Sequence, residues 1–145
     1  MASIIGVETL QHTNGTTAAT IDTSGRILTP ARPAFHVRLS TSSSAGVTGG
    51  LIFNEEDFDI GGNYDTSNGR FTAPVTGIYY FSFDGLSCGD TGGAALPSGL
   101  STEVNFHKNG SAGLFSTRSY NYVNGATQYN TINRIDCIQL AATDY

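Results

Sequence analysis

The chain has 145 residues, of which 18 are glycine and 13% are charged, and its formal net charge is −5. Such a composition predicts many turns and few solvent-facing helices, which excludes coiled coils and helical bundles. The seven Lys and Arg residues are scattered, so there is no basic stripe for phosphates and we expect no nucleic-acid partner. No apolar run approaches the roughly 20 residues of a membrane-spanning helix, so we expect no membrane insertion.

The first 32 residues are polar and rich in threonine, with too few large apolar side chains to build a core of their own. They begin with neither a basic leader nor a long apolar stretch, so we expect no secretory signal. We predict an extended N-terminal arm that becomes ordered on a partner and ends at Pro30 and Pro33. Its anchoring side chains would be Ile4, Ile5, Val7, Leu10, Ile21 and Ile27.

Residues 33–145 predict one domain of short strands, because turn residues recur and no helical period is present. Phe35, Val37 and Leu39 alternate with polar residues, as in a half-buried strand. Residues 78–83 are almost all aromatic or β-branched, with bulky groups on both faces. We therefore expect the core on one side of this strand and a partner on the other. The pattern is typical of an all-β sandwich or barrel.

The second half of the chain carries three further signals. Asn109-Gly110 predicts a hairpin with a type I′ turn, since both residues tolerate positive φ. Residues 129–140 predict one or two strands. The glycine-rich stretch from Ser87 to Ser101 predicts a long exposed loop. Cys88 and Cys137 are too few for a disulfide scaffold or a zinc site and are interpreted as small core residues.

The densest acidic cluster is a candidate calcium site, because carboxylate oxygens are the ligands that calcium prefers. Its members are Glu55, Glu56, Asp57 and Asp59. Their spacing matches no calcium-binding loop, so the alternative interpretation is a solvated turn. No other cofactor is expected.

Enzymatic activity is not expected. Residues 85–89 fit the Gly-x-Ser-x-Gly pattern, which needs a strained turn from a strand into a helix, yet glycine-rich sequence follows Ser87. His12, His36 and His107 are far apart in the sequence, and no nucleophile, base and orienting group can be assembled.

An aromatic and amide patch is a candidate glycan site, because aromatic faces stack on sugars and amides bind their hydroxyls. Its members are Tyr120, Asn121, Tyr122 and Tyr129. The same residues are also ordinary in strands and turns.

Eight residues at fixed spacings carry a resemblance to a known family: Phe53, Asp59, Tyr64, Phe71, Gly77, Tyr79, Phe81 and Phe83. They resemble the signature of the complement C1q globular head. The resemblance implies the jelly-roll β-sandwich shared with tumour necrosis factor, associated as a homotrimer. It implies a core of Phe35, Phe53, Tyr64, Phe71, Tyr79, Phe81 and Phe83, and a trimer interface containing Ile78, Tyr80 and Ser82.

Residues 141–145 resemble the segment that precedes the last two strands of that family. We therefore expect either that the gene product continues past Tyr145 or that a neighbouring subunit or the arm supplies a strand.

Residues 20–27 resemble N-terminal stretches of structural proteins from marine and freshwater bacteriophages. Together with the trimer that the C1q resemblance implies, this likeness implies a trimeric virion protein. We expect it to be a decoration protein that binds the major capsid protein on the outer capsid surface through its arm. The alternative is a tail-fibre or baseplate module that recognises host surface glycan.

Overall fold

The computed structural model describes residues 5–41, 50–90, 101–111, 116–120 and 127–145. All of their regular secondary structure is β, and no helix that they form is long and apolar enough to cross a membrane. In chain order the strands are β1 (Thr9–Gln11), β2 (Thr17–Ile21), β3 (Ile27–Leu28), β4 (Ala34–Arg38), β5 (Glu55–Ile60), β6 (Tyr64–Asp65), β7 (Arg70–Phe71), β8 (Gly77–Asp90), β9 (Ser101–Asn105), β10 (Ser116–Tyr120) and β11 (Thr127–Leu140).

The chain divides into two compact units. The first contains Met1–Ser43 and Gly49–Phe71, and the second contains Ser44–Thr48 and Thr72–Tyr145. The first unit holds the antiparallel meander β1-β2-β3 and the pairs β4–β5 and β6–β7. The second holds the antiparallel pairs β8–β11 and β9–β10.

The N-terminal meander, strands β1 to β3, replaces the extended arm that the sequence predicted. Two turns fold the segment back on itself, with Gly15 at φ 87° and Gly25 at φ 77°. Asp22 stabilises the second turn, because its carboxylate accepts the backbone N–H groups of Ser24 and Arg26, each at 2.9 Å. Sequence analysis treated these turn residues as breaks between separate strand-like pieces, whereas the turns pair the pieces with one another.

The small core of the first unit is aromatic. The Phe35 ring stacks on Tyr64 and on Phe71, with centroid distances of 5.0 Å and 5.1 Å. The Tyr64 hydroxyl donates to the Phe53 carbonyl at 3.1 Å, and burial raises the pKa of this phenol. The Phe35 ring of β4 thus packs against β6 and β7.

Strands β8 and β11 form the long ribbon of the second unit, and each has 14 residues. Their register runs without a break from Thr127 opposite Asp90 to Leu140 opposite Gly77. The predicted loop from Ser87 was therefore wrong at its start, since residues 87–90 continue β8 and the loop's central residues lie outside the described part. Glycine content indicated a loop there, but pairing with β11 satisfies that backbone instead.

The Asn109-Gly110 hairpin prediction is confirmed. Asn109 has φ 52° and Gly110 has φ 71°, and Lys108 and Ser111 bridge across them. The Ser111 N–H donates to the Lys108 carbonyl at 3.0 Å, which closes the two-residue turn.

The C-terminal segment, residues 141–145, lies against this turn. Asn109 Nδ2 donates to Asp144 Oδ1 at 2.8 Å, and the Tyr145 N–H donates to Asn109 Oδ1 at 3.0 Å. The Asn109 N–H donates to the Tyr145 carbonyl at 2.6 Å. Ala73, at 1% exposure, exchanges two 2.8 Å backbone bonds with Thr143 and Asp144. Hydrogen bonds therefore hold residues 141–145 both to the Asn109 turn and to Ala73.

Candidate functional site

The outward face of the ribbon carries a set of exposed apolar side chains. Ile78 is 77% exposed, Tyr80 65% and Ile135 61%. Cys137, a free and exposed cysteine, lies directly opposite Tyr80, and Ile135 lies diagonally from it. We call these four residues the outer apolar patch. Isolated apolar residues are normal on a protein surface, whereas a contiguous group of this kind is typical of an interface.

The inward face of the same ribbon is buried. Its apolar residues on β11 are Ile132, Ile138 and Leu140, each at 8% exposure or less. On β8, Tyr79, Phe81 and Phe83 are half-buried, and the Phe81 ring packs 5.9 Å from Phe106. The two faces separate because successive side chains of a strand point to opposite sides.

A buried ion pair holds the inward face together. Arg134 is 5% exposed, and its Nε donates to Asp136 Oδ2 at 2.6 Å. Its guanidinium lies 5.5 Å from the centroid of the Phe106 ring and also reaches the Val104 carbonyl at 3.4 Å. Sequence analysis missed Arg134, because no local pattern distinguishes a buried arginine from an exposed one on a strand.

The predicted trimer-interface residues Ile78, Tyr80 and Ser82 all lie on the exposed face of β8. Farther along that face, Leu86 is 65% exposed and borders a shallow depression with Asp84, Gly85 and Thr131. Sequence analysis did not assign Ile135 or Cys137 to this surface. The alternation of residues 132–140 was the available signal, but only the β8–β11 register shows which residues accompany Tyr80.

The positions of the two cysteines bear on the prediction that both are small core residues. Cys137 is exposed rather than a core residue, because its register position places it on the outward face. Cys88 pairs with Tyr129, eight residues along β8 from the position opposite Cys137. That separation is about 26 Å along a strand, whereas bonded cysteines have Cα atoms within about 7 Å. The register of the ribbon therefore excludes a disulfide within one chain.

The acidic cluster forms part of β5 and is not a turn. Glu55 and Asp57 form ion pairs with Arg38, and Asp57 Oδ2 lies 2.6 Å from His36 Nδ1. Hydrogen bonds from His36 and Arg38 lower the pKa of the Asp57 carboxyl. Asp59 instead accepts the Tyr64 N–H at 2.8 Å, and Glu56 is exposed. Within the described residues no group of three or more His, Cys, Asp or Glu converges as metal ligands would. Glu55 and Asp57 instead link β5 to β4 through Arg38 and His36.

The Gly-x-Ser-x-Gly sequence lies wholly inside β8, so the strand-to-helix turn that a nucleophile elbow requires does not occur there. His12 accepts the Asn14 N–H at 3.3 Å within the first turn, and His36 is bound to Asp57. His107 is exposed beside the Asn109 turn. The three histidines thus occupy three separate local settings.

Two sets of predicted residues fall partly or wholly outside the described part. Of the candidate glycan residues, Asn121 and Tyr122 lie outside it, as do the side chains of Tyr120 and Tyr129. Ile4 of the predicted anchoring set also lies outside. The other members, Ile5, Val7, Leu10, Ile21 and Ile27, are all exposed.

The described elements are all β, and the longest ribbon buries one face while its other face carries exposed apolar residues. The C1q domain model matches residues 34–124. The chain belongs to the C1q-domain family, whose members form homotrimers and are non-enzymatic. The all-β structure is consistent with the jelly-roll β-sandwich that the resemblance implied.

The chain is similar to complement C1q tumor necrosis factor-related protein 3 of Homo sapiens and of Mus musculus. Identity to each is 42% over 50 residues, which cover 34% of this chain and 20% of the relative. The match thus spans about a fifth of the length of these relatives. No solved structure matches the chain.

Proposed function

We propose that the chain is the subunit of a homotrimeric, non-catalytic structural protein, and that the outer apolar patch forms the contact between subunits. The observation that carries this proposal is the exposure of Ile78, Tyr80 and Ile135 on one face of the ribbon. Three subunits that each cover roughly 800 Å² or more there would gain a stable interface from apolar burial, at about 25 cal/mol per Å².

The chemistry of the ribbon face supports this choice. Ser82, Asn133 and Gln139 lie beside the patch and offer polar groups at its margin. Within residues 78–86 of β8 and 131–139 of β11, Asp84 is the only charged residue at an outward position. A surface with an apolar centre, polar margins and little charge is typical of a permanent interface between subunits.

The test compares two exposed apolar positions of the second unit. Tyr80→Lys buries an unpaired ammonium in the proposed interface, so we expect light scattering to give a monomer mass. Val75→Lys is the matched control, because Val75 is 60% exposed but lies outside the ribbon, and we expect it to remain a trimer. A wild-type monomer, or a Tyr80→Lys trimer, would contradict the proposal.

We further propose that the trimer is a bacteriophage virion component, a decoration protein attached to the outer surface of the capsid through the N-terminal meander. The setting rests on the phage likeness of residues 20–27. The attachment is supported by the cross-strand pairs Leu10–Ala19 and Ile21–Ile27, which place four apolar side chains on one face of the meander. A three-stranded sheet of this size gains stability from a covering layer.

Purified particles would test this location. Quantitative mass spectrometry should find the chain in an amount comparable to that of the major capsid protein. A few copies per particle would instead indicate a fibre or baseplate component, and absence from particles would overturn the virion proposal altogether.

A further inference from the structure

We propose that Asn109 is a deamidation site that the docked C-terminal segment keeps unreactive, and whose reaction releases that segment. The proposal concerns the Asn109-Gly110 turn and residues 141–145, so it does not depend on the trimer or on the virion.

The turn has the composition that favours this reaction. Asn109 and Gly110 are both exposed, and Gly110 has no side chain to hinder its backbone nitrogen. In the reaction, the deprotonated Gly110 nitrogen attacks Cγ of Asn109. The new N–Cγ bond forms as the Cγ–Nδ2 bond breaks, and Nδ2 leaves as ammonia. Water then opens the resulting succinimide at either carbonyl and gives aspartate or isoaspartate.

Hydrogen bonds at both polar atoms of the Asn109 side chain oppose this deamidation. Nδ2, the leaving nitrogen, donates to Asp144 Oδ1 at 2.8 Å, and Oδ1 accepts the Tyr145 N–H at 3.0 Å. Both bonds must break before Cγ can turn towards Gly110. Asp144 is itself held, because its other oxygen accepts from Lys108 Nζ at 2.7 Å and from the Ala141 N–H at 2.8 Å.

The products would not fit the same arrangement. A carboxylate at position 109 brings a second negative charge to Asp144 in place of a hydrogen-bond donor, and like charges at this distance repel. Isoaspartate also lengthens the backbone within a two-residue turn whose bridge joins Lys108 and Ser111. Either product therefore weakens the attachment of residues 141–145.

A second Asn-Gly pair, in the first unit, provides an internal reference for the rate of deamidation. Asn14-Gly15 also lies in an exposed turn, but its Oδ1 accepts only the neighbouring Thr16 N–H, at 2.9 Å. No bond in the described residues ties its Nδ2 to a distant segment. The Gly15 N–H donates to the His12 carbonyl at 2.8 Å, a bond within the same turn. Asn14 thus reports the reaction of the same dipeptide under local restraints alone.

The experiment incubates the whole 145-residue chain at mildly alkaline pH and follows both sites by peptide mapping. In the folded protein Asn109 should react about tenfold more slowly than Asn14, because two hydrogen bonds must open first. In urea the two rates should converge. Asp144→Ala should accelerate the reaction at Asn109 and leave Asn14 unchanged. Equal rates at the two sites in the folded wild type would overturn the proposal without any variant.

A second measurement tests the release. Asn109→Asp should increase hydrogen exchange at the Thr143 and Tyr145 amides, which donate to Ala73 and to Asn109. The matched variant Asn14→Asp should leave exchange at those amides unchanged. If Asn109→Asp leaves both amides as protected as in the wild type, the segment is not released and the second half of the proposal fails.

Discussion

Thr143 adopts a backbone conformation that a β-branched residue rarely takes, with φ 74°. Its N–H still donates to the Ala73 carbonyl at 2.8 Å, so the conformation serves the docking of the C-terminal segment. Left-handed backbone costs a residue with a Cβ about 1–2 kcal/mol, which the surrounding hydrogen bonds offset.

Thr143→Gly should therefore stabilise the protein. We expect the free energy of unfolding to rise by about 1 kcal/mol, because relief of the steric cost exceeds the added freedom of glycine in the unfolded chain. Urea unfolding would measure the change. Thr143→Ala is the control, since alanine keeps the Cβ and should give little gain. Equal gains in the two variants would show that backbone strain is not the cause.

Asp144 makes stability depend on pH. Hydrogen bonds from Asn109, Lys108 and the Ala141 N–H lower the pKa of its carboxyl from 3.8 to about 2. Since the folded protein favours the ionised form, this contribution is present above the unfolded-state value of 3.8 and disappears as the pH falls towards about 2.

Asp144→Asn should flatten the acid part of the stability curve. The variant removes the group that takes up a proton on unfolding, so its free energy of unfolding should fall less between pH 3.8 and about 2 than that of the wild type. Denaturant titrations across this range would show it. Parallel losses in the two proteins would assign the acid sensitivity to other carboxylates.

At the scale of elements, β11 depends on a charge inside the ribbon's packed face. Arg134 lies between Asp136 and the Phe106 ring and is almost fully buried. Removal of one member of a buried pair leaves the other unpaired, which costs more than the pair itself contributes.

Arg134→Ala should lower the free energy of unfolding by about 2–3 kcal/mol, since the carboxylate of Asp136 remains and the packing on Phe106 is lost. Thermal unfolding would measure it. The exposed pair of Arg26 and Asp22 offers the control, because Arg26 is 74% exposed and Arg26→Ala should cost much less. Comparable losses would mean that burial does not determine the effect.

The β4–β5 pair shows a local irregularity that sequence patterns do not contain. Its register shifts between His36 and Val37, where His36 faces Phe58 but Val37 faces Glu56. Asp57 is therefore the extra residue of a β-bulge, and it contacts both His36 and Arg38. The sequence predicted β4 from its alternation, whereas the bulge depends on pairing with β5, some 20 residues away.

At the scale of the whole molecule, we predict that the proposed attachment of the trimer to the capsid depends on one face of the N-terminal meander. Ile27→Glu places a charge on the face that contains Leu10 and Ile21, so we expect a trimer that no longer binds particles. Thr9→Glu changes the opposite face, where Thr9 pairs with Thr20, and should bind normally. Co-sedimentation with particles that lack the protein would measure both.

Deletion of residues 1–30 gives the coarser form of this test. The trimer should remain soluble, because the proposed subunit contact lies in the ribbon, but it should lose particle binding. Three meanders on one trimer raise the effective concentration of each contact, so the loss should be large. If the deletion variant still binds particles, attachment through the N-terminal meander is contradicted.

The sequence by itself determined the family, the all-β class, the aromatic strand and the Asn109-Gly110 turn, because each depends on local spacing or local backbone preference. The tertiary structure decided which faces are covered. Whether Tyr80 and Ile135 meet, whether Arg134 is buried and whether the two cysteines can bond depend on the β8–β11 register. Register joins residues about 50 positions apart, and no local pattern contains that information.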